Sequence, residues 1–442
     1  MRRLRQALTT LTLSISLPLF AQTPIGDAGP NTALDKRLDK DLQQLHYEDL
    51  EHDLANAPPG LTTDFFTGIL DDRTSRFDDS IRLLTPLLSA PDTPRPRIAL
   101  ILGALADDNV KLFHYAEAHR LYDQLLPSYA DVMSPELVKD DQDDNATLAT
   151  LTNTPAQTIT LNGIVDIPTH TDPLGSHTAD LTLNGITTPW ILDTGANISC
   201  MSESLAKQLG LTLSTSTAQT MGATGAENTL HTAILPELNI GSATLHNVVL
   251  LVLPDANLTL SLGKKKSYVI PAILGYPVFQ SLGIIRFTHD HRFLAGPSLP
   301  LTGDSSPIFF DKLSPLFSVR THNVARVFLF DSGANASQLS TPYYQEFQLE
   351  LAHQKQGKSR ASGAGGISTS RVYIIDTVPL QFGGRTDTLQ HIAAHSNPIT
   401  LLSDHYEGSL GRDSFANFES ITLDFLHDRV YLGAPLPTTE SK

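Results

Sequence analysis

The chain is expected to be mostly β, two duplicated lobes of short strands behind an α-helical N-terminal domain, and three observations predict this. Apolar residues recur at helical spacing up to about residue 135. Beyond residue 158 they alternate along short runs broken by Gly, Asn and Pro. One motif is also written twice: ILDTGAN at 191–197 returns as LFDSGAN at 329–335, a shift of 138 residues.

A length of 442 residues exceeds what one core organises, so several domains are expected. The first 21 residues place Arg2, Arg3 and Arg5 ahead of an apolar run ending near Ala21, the pattern of a secretory signal. The alternative is an amphipathic or membrane-anchoring first helix, but the run is short for a span and rich in Thr and Ser. Export to the periplasm or the medium follows from the first reading. No later stretch approaches a membrane span.

Residues 22–138 read as the helical domain. In FDDSIRLLTPLL (77–88), Phe77, Ile81, Leu84 and Leu88 share one face, and YAEAHRLYDQLL (115–126) repeats the pattern. Each follows a Gly-containing helix, FFTGIL or ALILGAL. The pairs resemble tetratricopeptide units, which would imply a groove for a protein partner; a plain helical bundle fits the same pattern. The acidic stretch 139–157 reads as a solvated linker, since it lacks the glycine and closing Glu of a calcium loop.

The repeat then fixes two halves, 158–300 and 301–442. FTHD (287–290) meets FLHD (425–428), AILGYPVF (272–279) answers GSLGRDSF (408–415), and the Gly-rich MGATGAEN (221–228) answers RASGAGGI (360–367). Four landmarks recur in one order. HDHRF (289–293), with His at alternate positions, has HDRVY (427–431) as its counterpart, so a hairpin turn is expected there rather than a metal site.

A net charge of −16 argues against nucleic acid or anionic lipid as the main partner. The one compact basic run, GKKKS at 263–267, reads as a solvated loop. Cys200 is the single cysteine, which rules out an internal disulfide, and its apolar surroundings predict a buried, inert thiol. HExxH, Gly-x-Ser-x-Gly and P-loop motifs are absent from the sequence.

The chemistry is expected at Asp193 and Asp331. Each follows a bulky apolar run, so each acid stands at the exit of a buried strand, and Gly195 and Gly333 permit a turn that a Cβ would obstruct. About 80 residues later each half offers a bulky element ending in glycine, Ile273-Leu274-Gly275 and Leu410-Gly411.

With these motifs, residues 158 to about 435 resemble the retropepsin-like aspartic peptidases: Asp-Thr/Ser-Gly-Ala, a Gly-rich flap and a hydrophobic-hydrophobic-Gly element. The resemblance implies a bilobal acid-protease β-barrel fold with Asp193 and Asp331 as catalytic pair, and Thr194 and Ser332 cross-linking the two loops beside Gly195 and Gly333. It implies flaps at Gly222 and Gly225 and at Gly363, Gly365 and Gly366, an extended polypeptide as substrate, and no metal or cofactor. Two copies on one chain remove the need to dimerise, so a monomer is expected. Two apposed carboxyls hold one shared proton, a case familiar from aspartic proteases. Ala196 and Ala334 offer the carboxylates no hydroxyl, which predicts a less acidic working range than that of pepsin-like enzymes. Two other readings stand beside this one: a peptide-binding module that does not cut, and an inhibitory prosegment role for the helical segment.

Overall fold

The computed structural model describes residues 8–10, 33–221, 227–263, 266–363, 366–398 and 405–437. Helices α1 (Ala33–Gln43), α2 (Tyr47–Ala55), α3 (Leu61–Asp72), α4 (Phe77–Leu87), α5 (Arg95–Lys111), α6 (Tyr115–Tyr129) and α7 (Pro135–Ala149) come first, each packed on the next. No helix among the described residues is long and apolar enough to cross a membrane. The expected leader lies outside the described residues except for Leu8–Thr10, which runs parallel to Arg360–Ser362.

Amphipathic spacing explains most of these helices: Phe77 and Leu84 of α4 and Tyr115, Ala118, Leu121 and Tyr122 of α6 are buried. The two glycines that suggested a repeat differ in role. A Cβ on Gly68 would lie 2.5 Å from Leu84 Cδ2, so it lets α3 close on α4, whereas one on Gly103 would meet nothing within 4 Å.

The acidic stretch differs from expectation. It continues α7 to Ala149 instead of forming a solvated linker. Ser134 caps the helix, its Oγ accepting from Leu137 N–H at 3.2 Å, with Pro135 in the first turn. Its acids are drawn inward by a distant cation: Lys312 Nζ lies 2.9 Å from Asp141 Oδ1 and 2.7 Å from Asp144 Oδ2. A charge run therefore reads as solvated only while its counter-charge is out of view.

The β part consists of two halves with one strand order. In the first, the sequence of neighbours is Ala218–Met221, Glu227–Ile240, Ala243–Leu253, Cys200–Ser202, Ala272–Leu274, Ile186–Leu192, His177–Leu183. In the second it is Lys355–Gly363, Gly366–Phe382, Arg385–His395, Gln338–Leu339, Gly408–Leu410, Val324–Phe330, Ser314–Thr321. Between the halves, Ile284–Thr288 pairs antiparallel with Ser420–Asp424, and Ile285 faces Leu423. Those two residues are themselves 138 apart in sequence, so the register places an approximate two-fold axis through their pair.

The helical domain is fused to this β part by shared burial. Its apolar core takes in Phe309, Leu316, Val327, Leu329 and Tyr406 from the second half. Polar contacts cross the same seam. Phe310 N–H donates to Arg73 O at 2.8 Å, and Ser75 N–H donates to Asp428 Oδ2 at 2.9 Å. Arg73 also lies 3.6 Å from Asp311 and 3.1 Å from Asp72, while Lys111, with no exposed side chain, lies 2.6 Å from Asp107. Charges at this depth are sustainable only when paired.

Candidate active site

Buried strands deliver both acids. Trp190, Ile191 and Leu192 are fully buried, and Ile191 and Leu192 pair in parallel with Ile273 and Leu274. In the second half, Leu329 and Phe330 pair in parallel with Ser409 and Leu410. Where each strand ends, the chain turns into the acid: Asp193 N–H donates to Leu274 O and Asp331 N–H to Leu410 O, each at 3.0 Å. The apolar runs thus anchor the acids from below, as their sequence suggested.

The hydroxyl residues join the two loops reciprocally. Thr194 N–H donates to Ser332 Oγ at 2.9 Å, and Ser332 N–H donates to Thr194 Oγ1 at 3.1 Å. The hydroxyls then donate onward, Thr194 to Phe330 O at 3.3 Å and Ser332 to Leu192 O at 2.9 Å. Four bonds, all buried, therefore clamp residues that lie 138 apart in sequence.

This clamp brings the carboxyls together. Asp193 is fully buried, Asp331 is 4% exposed, and the two carboxyls stand close enough for the charge of Asp331 to act on Asp193. Backbone donors complete the shell: Gly195 N–H to Asp193 Oδ1 and Ala334 N–H to Asp331 Oδ1, both at 2.9 Å. Burial first, and the Asp331 charge second, push the Asp193 carboxyl well above the usual carboxylate range. Arg412 lies near enough to Asp331 for the carboxylate's charge to act on it.

Residues 179–278 match the aspartyl protease family. The matched stretch holds Asp193, Thr194, Gly195 and Gly275, the first copy of the repeated landmarks. A retropepsin-like aspartic protease from Rickettsia conorii is similar over 32% of this chain and 93% of its own, at 20% identity and a TM-score of 0.23. Comparison with curated proteins finds no match.

Around the aspartyl protease match, several supporting residues had no role predicted for them although the repeat extends through most of them. Ser199 Oγ accepts from Gly275 N–H at 2.9 Å, and Ser337 Oγ accepts from Gly411 N–H at 3.0 Å. Asn197 accepts from Ser314 Oγ at 2.9 Å, while Asn335 donates to Leu174 O at 3.1 Å and accepts from Arg412. Each Asn thus grips the turn that enters the opposite half. The repeat as read already ended on both Asn, and two residues further it would have reached both Ser; Arg412, whose counterpart in the first half is Tyr276, had no such signal.

Of the expected flap residues, Gly222, Gly225 and Gly365 lie outside the described residues. Gly363 pairs with Gly366 at the end of the second hairpin. Met221 pairs with Glu227 at the end of the first. Cys200 is fully buried, and burial raises its thiol, in keeping with an inert side chain.

Gly333 carries a specific expectation. An added Cβ would stand 2.5 Å from Asp193 Cγ, so Gly333→Ala must displace the facing carboxyl. Cleavage is expected to fall by about a hundredfold, the usual cost of an ångström-scale misplacement, with the far-ultraviolet circular dichroism unchanged. Retained activity in that variant would mean that the carboxyls need no close registry.

Proposed function

We propose that the chain is an exported aspartic endopeptidase whose water-activating group is the Asp193/Asp331 pair. The observation that carries this reading is the reciprocal clamp of Thr194 and Ser332, which holds two buried carboxyls within reach of each other's charge at the ends of two like-ordered half-sheets. The ionised member draws a proton from a lodged water while the protonated member polarises the scissile carbonyl. Water adds to the carbonyl carbon, the resulting diol collapses, and the proton passes to the leaving amine. The pair ends with the single proton it began with.

The matching strand orders support two duplicated lobes of an acid-protease barrel within one chain, which would work as a monomer. An extended polypeptide suits a cleft beneath glycine-rich hairpins, since main-chain hydrogen bonds can then carry affinity. The basic, apolar leader supports delivery to the periplasm or the medium. The buried contacts between α3–α7 and the second half favour a helical domain that stays attached to the enzyme, with its remaining surface open to a protein partner.

Cleavage of casein from pH 3 to 8, with and without pepstatin, tests the reading. The expected result is pepstatin-sensitive cleavage with its maximum above about pH 3, because Ala196 and Ala334 supply no hydroxyl that would favour the charged carboxylates. A maximum below that value removes the argument from the alanines. A folded chain that cuts nothing at any pH would favour a peptide-binding module.

A further inference from the structure

The two Gly-rich hairpins differ in charge. Residues 218–240 of the first contain no Lys or Arg. The second, Lys355–Gly363 with Gly366–Phe382, carries Lys355, Lys358, Arg360 and Arg371, and no Asp or Glu occurs between Glu350 and Asp376. A chain of net charge −16 thus keeps residues 355–375 of this hairpin free of acids, Asp376 being the first to follow.

Register concentrates those cations. Lys358 stands directly opposite Arg371, and Arg360 stands opposite Thr369. Alternation puts Lys358, Arg360 and Arg371 on one face, while Ser359 and Val372, on the other, are buried. Like charges directly opposed destabilise a strand pair, and among the described residues no carboxylate pairs with Lys355, Lys358 or Arg371. The fold therefore carries a local cost with no compensating ion pair of its own.

Two further contacts tie this hairpin to the site. Ser370, beside Arg371, meets His395 Nδ1 at 3.3 Å, and His395 Nε2 meets Gln338 Oε1 at 3.1 Å, on the strand that follows the Asp331 loop. From the first half, the strand Thr259–Gly263 packs against Gly366–Phe382. Its partner strand begins at the exposed Lys266, the last lysine of the GKKKS run, whose residues 264 and 265 lie outside the described residues.

We propose that the paired strands Lys355–Gly363 and Gly366–Phe382 bind an acidic segment of the polypeptide substrate through Lys358, Arg360 and Arg371, giving the site a preference for Asp- and Glu-rich sequences on that side. This rests on the aspartic endopeptidase reading. The opposed cations keep their charge unpaired until carboxylates from the substrate enter between them, and binding then relieves the repulsion.

Binding of labelled Glu-rich and Gln-rich peptides of equal length to the full-length Asp193→Asn chain tests the proposal independently of turnover. The Glu-rich peptide is expected to bind about tenfold more tightly at low salt, with the difference fading towards about 1 M salt, where screening acts over about 3 Å. Lys358→Gln with Arg371→Gln is expected to erase the difference without lowering the thermal midpoint, since the pair removed is repulsive. Equal affinities, or a preference that survives the double substitution, would overturn the proposal. So would capture of anionic phospholipid vesicles by the same cations with no peptide preference. If the wild type cuts neither these peptides nor casein while hairpin-dependent binding persists, the endopeptidase reading fails alone; cleavage without acidic preference defeats only the present inference.

Discussion

Asp193→Asn is expected to abolish cleavage of an unstructured protein, by about a thousandfold or more, while the chain stays folded. Asn keeps the size of the side chain and can still accept from Gly195 N–H, the 2.9 Å bond that orients the wild-type carboxyl. What it cannot do is share a proton. The remaining acid then has no partner from which the scissile carbonyl is polarised, and Asp331→Asn should lose activity to a similar extent. Retention of activity in either variant would exclude the shared pair.

The same substitution should alter stability with pH in a defined sense. Burial and the neighbouring charge raise the folded-state carboxyl of Asp193 above its unfolded value. A group raised in this way contributes stability that is present in full below the unfolded value and is lost as pH climbs through the folded one. Wild type should therefore lose stability towards alkaline pH by a route closed to the Asn variant. The thermal midpoint of Asp193→Asn is expected to exceed that of wild type at pH 8, and the gap should vanish near pH 4. A gap that grows on acidification would mean that Asp193 is ionised and paired in the folded state.

The candidate site was legible because its motif is written twice. An acid, a hydroxyl and a glycine are ordinary turn residues, and only the second copy at the end of a second buried run separates them from a loop. The seam between the helical and β parts was not legible, for a physical reason. Asp141 and Asp144 look like the charges of a solvated linker until Lys312 stands beside them, and that cation lies 171 and 168 residues away in sequence. Asp107 and Lys111, for which the sequence offered no expectation, are likewise buried, against Asp72 and Arg73. Sequence periodicity reports which residues are apolar; it does not report which charges will meet across a chain fold.

Lys312→Met is expected to be the most destabilising single change at that seam. Lys312 is the cation paired with both Asp141 and Asp144, and only 15% of its side chain is exposed. Removing one partner of a buried pair typically costs about 3–5 kcal/mol, because the charges left behind keep their desolvation penalty. The loss should depend on pH. Asp141 is pushed up to about 6, by burial above all, even with Lys312 present. Without the lysine both acids become harder still to ionise. Carboxyls raised by burial lose their contribution as pH rises through the folded value, so the defect should be severe at pH 8 and largely relieved below pH 5. Adding Asp141→Asn and Asp144→Asn should restore much of the midpoint at pH 8, which a simple packing defect would not allow. Catalysis should follow, because Ser314, two residues beyond Lys312, donates to Asn197 in the loop that carries Asp193. Deleting residues 22–150 exposes Phe309, Leu316, Val327 and Leu329 together and should leave no folded protease. If that truncated chain instead folds and cuts casein faster than the intact protein, the helices act as a removable inhibitor and the seam is a latch rather than a foundation.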